Sequence, residues 1–256
     1  MNSKAVENKE KHEFALFVES LSLLLQKKHI GDNLVFSDEK MVHRIANVLR
    51  LKVHEQCILF DRYIHASVMI EAFIGKKSIS VAIQSIQKNV ILQPSITFLL
   101  PVLKRDDYEA ALYALAEVGV NTIQLIFTQK TPHQWAGKRD KERAERILIA
   151  AAEQSKHFAY PEIKEPIILE AALQEYTIAD VRLFFDPEGE ALFDVMHKVR
   201  DTKTKNIVLL VGPEGDLNAE EKKLVQMNNF IFCALTPTIM RAVQAASLGA
   251  GLVRLL

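Results

Sequence analysis

Cysteine is scarce in this chain: Cys57 and Cys233 are the only two, each inside an apolar run without a CxxC pair or neighbouring histidines. That excludes a disulfide framework and a cysteine-based zinc site, and leaves two buried, reduced thiols. No apolar run approaches the about 18 residues of a membrane-spanning helix. The opening Met-Asn-Ser-Lys-Ala-Val-Glu-Asn-Lys-Glu-Lys is too polar for a secretory signal. An excess of one charge sign is missing as well, since 32 Lys+Arg balance 32 Asp+Glu. Any nucleic-acid surface must therefore be local. Glycine occupies only 9 positions, so glycines close together carry information. What remains is ordinary globular composition, 49% apolar and 25% charged, over 256 residues, enough for one large domain or two small ones. The expectation is a soluble, cytoplasmic protein without metal.

Two patterns divide the chain near Gln93-Pro94. Before it, β-branched runs predict strands over residues 53–60, 66–73 and 78–86, with Gly75-Lys76-Lys77 as a turn. Met41, Ile45, Val48 and Leu49 fall at helical spacing, which predicts a short helix within residues 38–50. Residues 14–25 read equally as a first strand or a short helix. After the boundary, strands and helices alternate, the signature of a parallel sheet with crossover helices. Strands are predicted over residues 95–103, 122–128, 181–186, 207–212 and 230–235. Helices are predicted over 106–118, capped by Asp106 and closed by Gly119, and over 138–156, 191–199, 218–227 and 241–256. Pro161 and Pro166 mark a connection. The reading is an N-terminal domain over residues 1–93, with 1–30 an unassigned extension, and a C-terminal domain over 94–256. The first holds 13 Lys/Arg against 10 Asp/Glu and the second 19 against 22. That mild asymmetry points nucleic acid toward the smaller domain.

Three stretches carry candidate chemistry. Val208 to Val211 is a buried-strand pattern running into Gly212-Pro213-Glu214-Gly215-Asp216, with Asn218 as the next helix cap. Ligands of α/β folds collect outside the C-terminal ends of strands. Either a close ligand or a plain strand-to-helix turn accounts for the two glycines. The turn lacks the Lys-Ser/Thr of a P-loop and the spacing of GxGxxG, which argues against NTPase and classical dinucleotide readings. Second, Leu235-Thr236-Pro237-Thr238-Ile239-Met240-Arg241 precedes a helix of small residues. Its free N–H groups suit a carboxylate or a heterocycle edge. The small residues either admit a second helix closely or pack within the chain. Arg241 is the single charge between Phe230 and Leu252. Third, His43, Arg44, Arg50 and Lys52 form either a phosphate-contacting patch or a solvated face. Lys104, Arg105 and Lys130 add basic groups near strand ends, whereas residues 138–146 mix in three acids and read as a solvated helix.

Several segments together resemble the RsmE family, the bacterial 16S ribosomal RNA uridine-N3 methyltransferases of the SPOUT superfamily. They are Val48-Leu49-Arg50-Leu51-Lys52-Val53, Lys104-Arg105-Asp106, Ala116-Glu117-Val118-Gly119-Val120, Ala151-Ala152-Glu153-Gln154-Ser155, Val211-Gly212-Pro213-Glu214-Gly215 and Ile239-Met240-Arg241. They occur in the family's order and spacing, over roughly residues 33–256. The resemblance implies an α/β fold: a C-terminal SPOUT α/β trefoil-knot domain with an N-terminal PUA-like β-barrel, working as a homodimer. It implies S-adenosylmethionine held by Asp186 and Pro187, by Gly212, Pro213, Glu214 and Gly215, and by Leu235, Thr236, Pro237, Ile239 and Met240. On this reading Arg241 is the expected catalytic donor to the uridylate oxygen, and Arg44, Arg50, Lys52, Lys104, Arg105 and Lys130 are the expected contacts to ribosomal RNA of the 30S subunit. Neither metal nor membrane is implied.

The chain departs from the family pattern twice. Asp216 replaces the last glycine of Gly-Pro-Glu-Gly-Gly. The final loop has Thr238 and Val243 where the family has arginine and glutamate. A SPOUT enzyme for another RNA nucleotide and a non-catalytic RNA-binding or ribosome-assembly protein remain open. A small-molecule α/β enzyme explains the glycine turn but not the basic β-rich module.

Overall fold

The computed structural model describes residues 13–131, 135–200 and 204–255. The polar lead at residues 1–12 and the terminal Leu256 of the last predicted helix lie outside the described residues. The chain divides into two compact units between Asn89 and Val90.

The first unit is a five-stranded sheet in the order β1-β3-β4-β5-β2. The strands are β1 (Ala15–Phe17), β2 (Asn33–Phe36), β3 (Gln56–Phe60), β4 (Ile64–Ile74) and β5 (Ser78–Lys88). Strands β1 and β3 run parallel and every other pair is antiparallel. The segment open to two readings is both: β1, then α1 (Leu21–Leu24) after Ser20 in the left-handed region at φ 57°. The predicted helix is α2 (Glu39–His43), and Asp38 caps it by accepting N–H bonds from Lys40 at 2.8 Å and Met41 at 3.2 Å. A π-helical turn over Arg44–Val48 follows, capped by Leu49, and Arg50 just beyond is left-handed at φ 56°. Ala66, Val68 and Ile70 alternate inward along β4 onto Ile79, Val81 and Ile83 of β5, which is why the period-2 pattern located these strands.

The second unit is a six-stranded, wholly parallel sheet in the order β11-β9-β10-β6-β7-β8. Its elements run β6 (Ser95–Pro101), α3 (Arg105–Glu117), β7 (Thr122–Phe127), α4 (Lys138–Ser155), β8 (Glu162–Ile168) and α5 (Leu169–Glu175). They continue with β9 (Val181–Ala191), α6 (Leu192–Arg200), β10 (Asn206–Val211), α7 (Ala219–Met227), β11 (Ile231–Ala234) and α8 (Ala242–Val253). Helices cover both faces. Ile207, Leu209 and Val211 of β10 join the core beneath α3, α4 and α8, while Val208 and Leu210 join the core beneath α5 and α7. Double coverage demands apolar residues at every position, so the strand reads as an unbroken apolar run.

Two local expectations are corrected. The connection expected around Pro161 and Pro166 is in fact strand β8 followed by α5. Strand β8 lies at the sheet edge, and its pairing with β7 shifts register between Gln124 and Ile126, opposite Lys164 and Ile167. An edge bulge tolerates the missing N–H of Pro166. The cap of α3 is the backbone of Lys104, with no side-chain bond, and Asp106 sits within the first turn. There its charge still favours the positive end of the helix.

Candidate functional site

A cavity of about 480 Å³ opens at the ends of β10 and β11 and at the middle of β9, bounded by the start of α8, by Lys104, which caps α3, and by Asp107 of α3. Three segments of chain build it. The first interrupts β9. Pairing with β11 runs Phe232↔Phe184 and then jumps to Cys233↔Glu190; Phe185 still pairs with Val211 of β10, and the residues after it leave the ladder and carry Asp186 and Pro187 to the cavity wall. Gly189 ends this excursion directly against the backbone of Phe232 and Cys233, and a Cβ there would overlap it. The second segment is the turn after β10. Asp216 returns its N–H to the Pro213 carbonyl at 2.9 Å and is left-handed at φ 57°. That geometry gives the glycine usual at this place its purpose, and aspartate tolerates it better than most side chains do. The third is the loop from Leu235 to Arg241, where the Thr236 hydroxyl donates to the Thr238 carbonyl at 2.8 Å.

Polar braces hold the turn after β10. The Lys104 N–H donates to Glu214 Oε1 at 2.8 Å, and Lys130 Nζ donates to the Gly215 carbonyl at 2.7 Å. Asn218 and Glu221 form a reciprocal capping box at the start of α7, and Glu221 also accepts the Gln129 N–H at 2.8 Å. Lys222 Nζ lies 2.7 Å from Asp186 Oδ2 and 2.7 Å from Asp216 Oδ2. Burial pulls the Lys222 ammonium down, but the two carboxylates paired with it, Asp186 and Asp216, outweigh burial and hold the group above the ordinary lysine range. Cys233 also lines the cavity. Burial first, and the charge of Glu190 second, push its thiol up to about 12, which makes it a neutral wall.

Among the residues expected to hold a cofactor, Asp186, Pro187, Gly212, Pro213, Glu214, Leu235, Thr236, Ile239 and Met240 line the cavity. Gly215 and Pro237 do not. Gly215 instead packs on the Lys130 side chain. Arg241 stands at the lip as the backbone cap of α8, its side chain 70% exposed, with Nε donating to Gln244 at 3.1 Å and Nη1 3.8 Å from Asp107. Lys104, Arg105 and Lys130 are exposed in this unit, although Arg105 is paired with Glu109 at 3.2 Å and Lys130 serves as a brace. Arg44, Arg50 and Lys52 are exposed on the first unit. Sequence reading passed over Asp107, Phe185 and Ala245 in the lining. The alternation that puts Leu183 and Phe185 on one face of β9 was the available signal for Phe185. Nothing local flagged Asp107.

A family model described as RNA methyltransferase domain matches residues 92–253. The ribosomal RNA small subunit methyltransferase E of Rickettsia conorii is 26% identical over 218 residues, 84% of this chain and 86% of that protein. The crystal structure of the ribosomal RNA small subunit methyltransferase E from Neisseria gonorrhoeae, bound to S-adenosyl methionine, superposes with a TM-score of 0.80 at 21% identity, over 95% of this chain and 98% of that one. A Legionella pneumophila methyltransferase in complex with the same cofactor gives a TM-score of 0.79 at 22% identity, over 96% and 98%.

Proposed function

This chain belongs to the RNA methyltransferase family, and from that premise we propose that it transfers a methyl group from S-adenosylmethionine to N3 of a uridine in small-subunit ribosomal RNA. The observation that carries the reading is the cavity at the ends of β10 and β11 and the middle of β9, with Arg241 at its lip. Its size falls in the range of small-molecule sites, about 300–1,000 Å³. The lining suits this cofactor. Val211, Ile239, Met240 and Ala245 offer apolar faces for a flat ring, the start of α8 offers backbone donors, and Asp186 and Asp216, sharing the one ammonium of Lys222, leave net negative charge for a cation. When bound, S-adenosylmethionine supplies an electrophilic methyl on a sulfonium centre.

The chain's own residues supply position and charge. Arg241 is placed to donate hydrogen bonds to the uracil oxygen as N3 loses its proton and charge spreads onto the ring oxygens. Asp107, 3.8 Å away, steers the guanidinium without burying it. Glu214 Oε1 accepts the Lys104 N–H, so this carboxylate braces the turn beside the cavity. Because N3 is on the pairing edge, the target uridine must be unpaired or flipped out. The same reading assigns the first unit as a PUA-like RNA-binding domain using Arg44, Arg50 and Lys52. It makes the second a SPOUT domain whose C-terminal segment is knotted, paired with a second copy in the cytoplasm.

The test is methylation of 30S subunits purified from cells lacking this gene, with the product mapped by mass spectrometry of the ribosomal RNA. Wild type adds one methyl to a uridine. Arg241→Ala lowers the rate by about 10²–10³-fold, the size of one lost oxyanion donor, while calorimetric affinity for S-adenosylmethionine stays within about threefold. Undiminished transfer by Arg241→Ala refutes its role. A wild-type chain that binds no S-adenosylmethionine refutes the enzymatic reading.

A further inference from the structure

Lys222 contributes nothing to the cavity lining, yet its ammonium touches two residues that do. Asp186 belongs to the excursion from β9 and is only 2% exposed, with Oδ1 accepting the Glu188 N–H at 2.8 Å. Asp216 closes the turn after β10, with Oδ1 accepting the Leu217 N–H at 2.7 Å. Each carboxylate thus commits one oxygen to its own loop and the other to Lys222. The result is an unbroken chain from loop to carboxylate to ammonium to carboxylate to loop. Its anchor is rigid, because the capping box and the Gln129 bond fix the first turn of α7, where Lys222 is rooted. Two carboxylates share one ammonium, so one negative charge is left over beside the cavity. Without the ammonium both charges would stand close together and unpaired, and repulsion would drive the two loops apart.

We propose that Lys222 is a positioning residue for S-adenosylmethionine: by bridging Asp186 to Asp216 it sets the spacing between the excursion within β9 and the turn after β10, and leaves a single negative charge facing the donor's cation. This rests on the methyltransferase reading above. Asp216 stands where the family pattern has glycine, so the second arm of the bridge is a feature of this chain.

Titration calorimetry of the full chain with S-adenosylmethionine tests it, alongside steady-state kinetics. Lys222→Met should weaken donor binding about tenfold and raise KM for the donor, with KM for RNA and kcat at saturating donor within about threefold of wild type. Asp216→Asn should weaken binding in the wild-type background, where it cuts one arm of the bridge. In the Lys222→Met background it should restore binding, where it removes a repulsion; asparagine accepts the left-handed backbone there. That reversal of sign is not expected of a residue that merely stabilises α7. Donor affinity of Lys222→Met equal to wild type overturns the bridge, as does a loss in Lys222→Met that Asp216→Asn leaves unrelieved. Should Lys222→Met fail to fold, Asp216→Asn alone decides: unchanged affinity overturns the bridge and weakened affinity supports it. If the wild-type chain binds no donor, the methyltransferase reading falls and the bridge with it. Binding by wild type together with unchanged Lys222→Met removes the bridge alone.

Discussion

Asp61 is 4% exposed and accepts three backbone N–H groups, from Ser22 at 2.6 Å, Tyr63 at 2.8 Å and Ile64 at 2.9 Å. It ties the turn between β3 and β4 to the start of α1. Burial alone would raise its pKa, but these donors outweigh burial and hold the carboxyl below the ordinary aspartate range. Because the folded value is depressed, the stabilisation is present above the unfolded pKa and is lost as pH falls through the folded one. Asp61→Asn turns an amide N–H toward one of the donors and should cost about 1–3 kcal/mol at neutral pH. Urea unfolding of both proteins should show that difference hold down to about pH 5 and shrink below about pH 4. A difference independent of pH would mean that the carboxylate charge is irrelevant. Buried, multiply bonded aspartates give no local signal in a sequence, and neither Asp61 nor Lys222 could be picked out there. Arg241 could be, because a single charge in a long neutral run is visible without coordinates.

Helix α8 shows how one element serves both packing and the site. Gly249 faces Phe185, and a Cβ there would sit inside the ring's van der Waals surface. Phe185 is core on one side and cavity wall on the other. At Gly251 the nearest atom to an added Cβ is Val118 Cγ1, at 3.7 Å, which is ordinary contact. Alanine gains up to about 1 kcal/mol over glycine in a helix, while overpacking a close core costs about 1–3 kcal/mol. Gly249→Ala should therefore lower the thermal midpoint and weaken S-adenosylmethionine binding through displacement of Phe185, whereas Gly251→Ala should leave the midpoint unchanged or raise it. Equal responses of the two variants would remove the steric account. At this scale the sequence was largely readable. Strands buried on both faces appear as apolar runs, helices as 3.6-residue periodicity, and Asn218 as a cap. The failure at β8 and α5 has a physical cause: Pro166 argues against a strand everywhere except at an edge, and which strand forms the edge is a property of the assembled sheet.

At the scale of the molecule, residues 1–93 carry 13 Lys/Arg against 10 Asp/Glu, a mild basic excess. RNA affinity that rests on phosphate contacts must fall with salt in proportion to the number of cations engaged. Replacing Arg50 and Lys52 with alanine should weaken RNA binding with little dependence on sequence. It should also shallow the slope of log affinity against log salt by about 1–2, measured by filter binding, and leave S-adenosylmethionine affinity unchanged. An unaltered slope would take these two residues out of the RNA surface. The linear sequence by itself determined the parallel α/β character of the larger part and the segments that meet at its strands, because periodicity and turn chemistry are local properties of the chain. Only the tertiary structure decided that Asp186 leaves its strand to enter the cavity, that Gly189 lies against the backbone of β11, and that Lys222 joins two loops. Each depends on neighbours remote along the chain, and a contact between remote residues exists only once the sheet has put its strands in order.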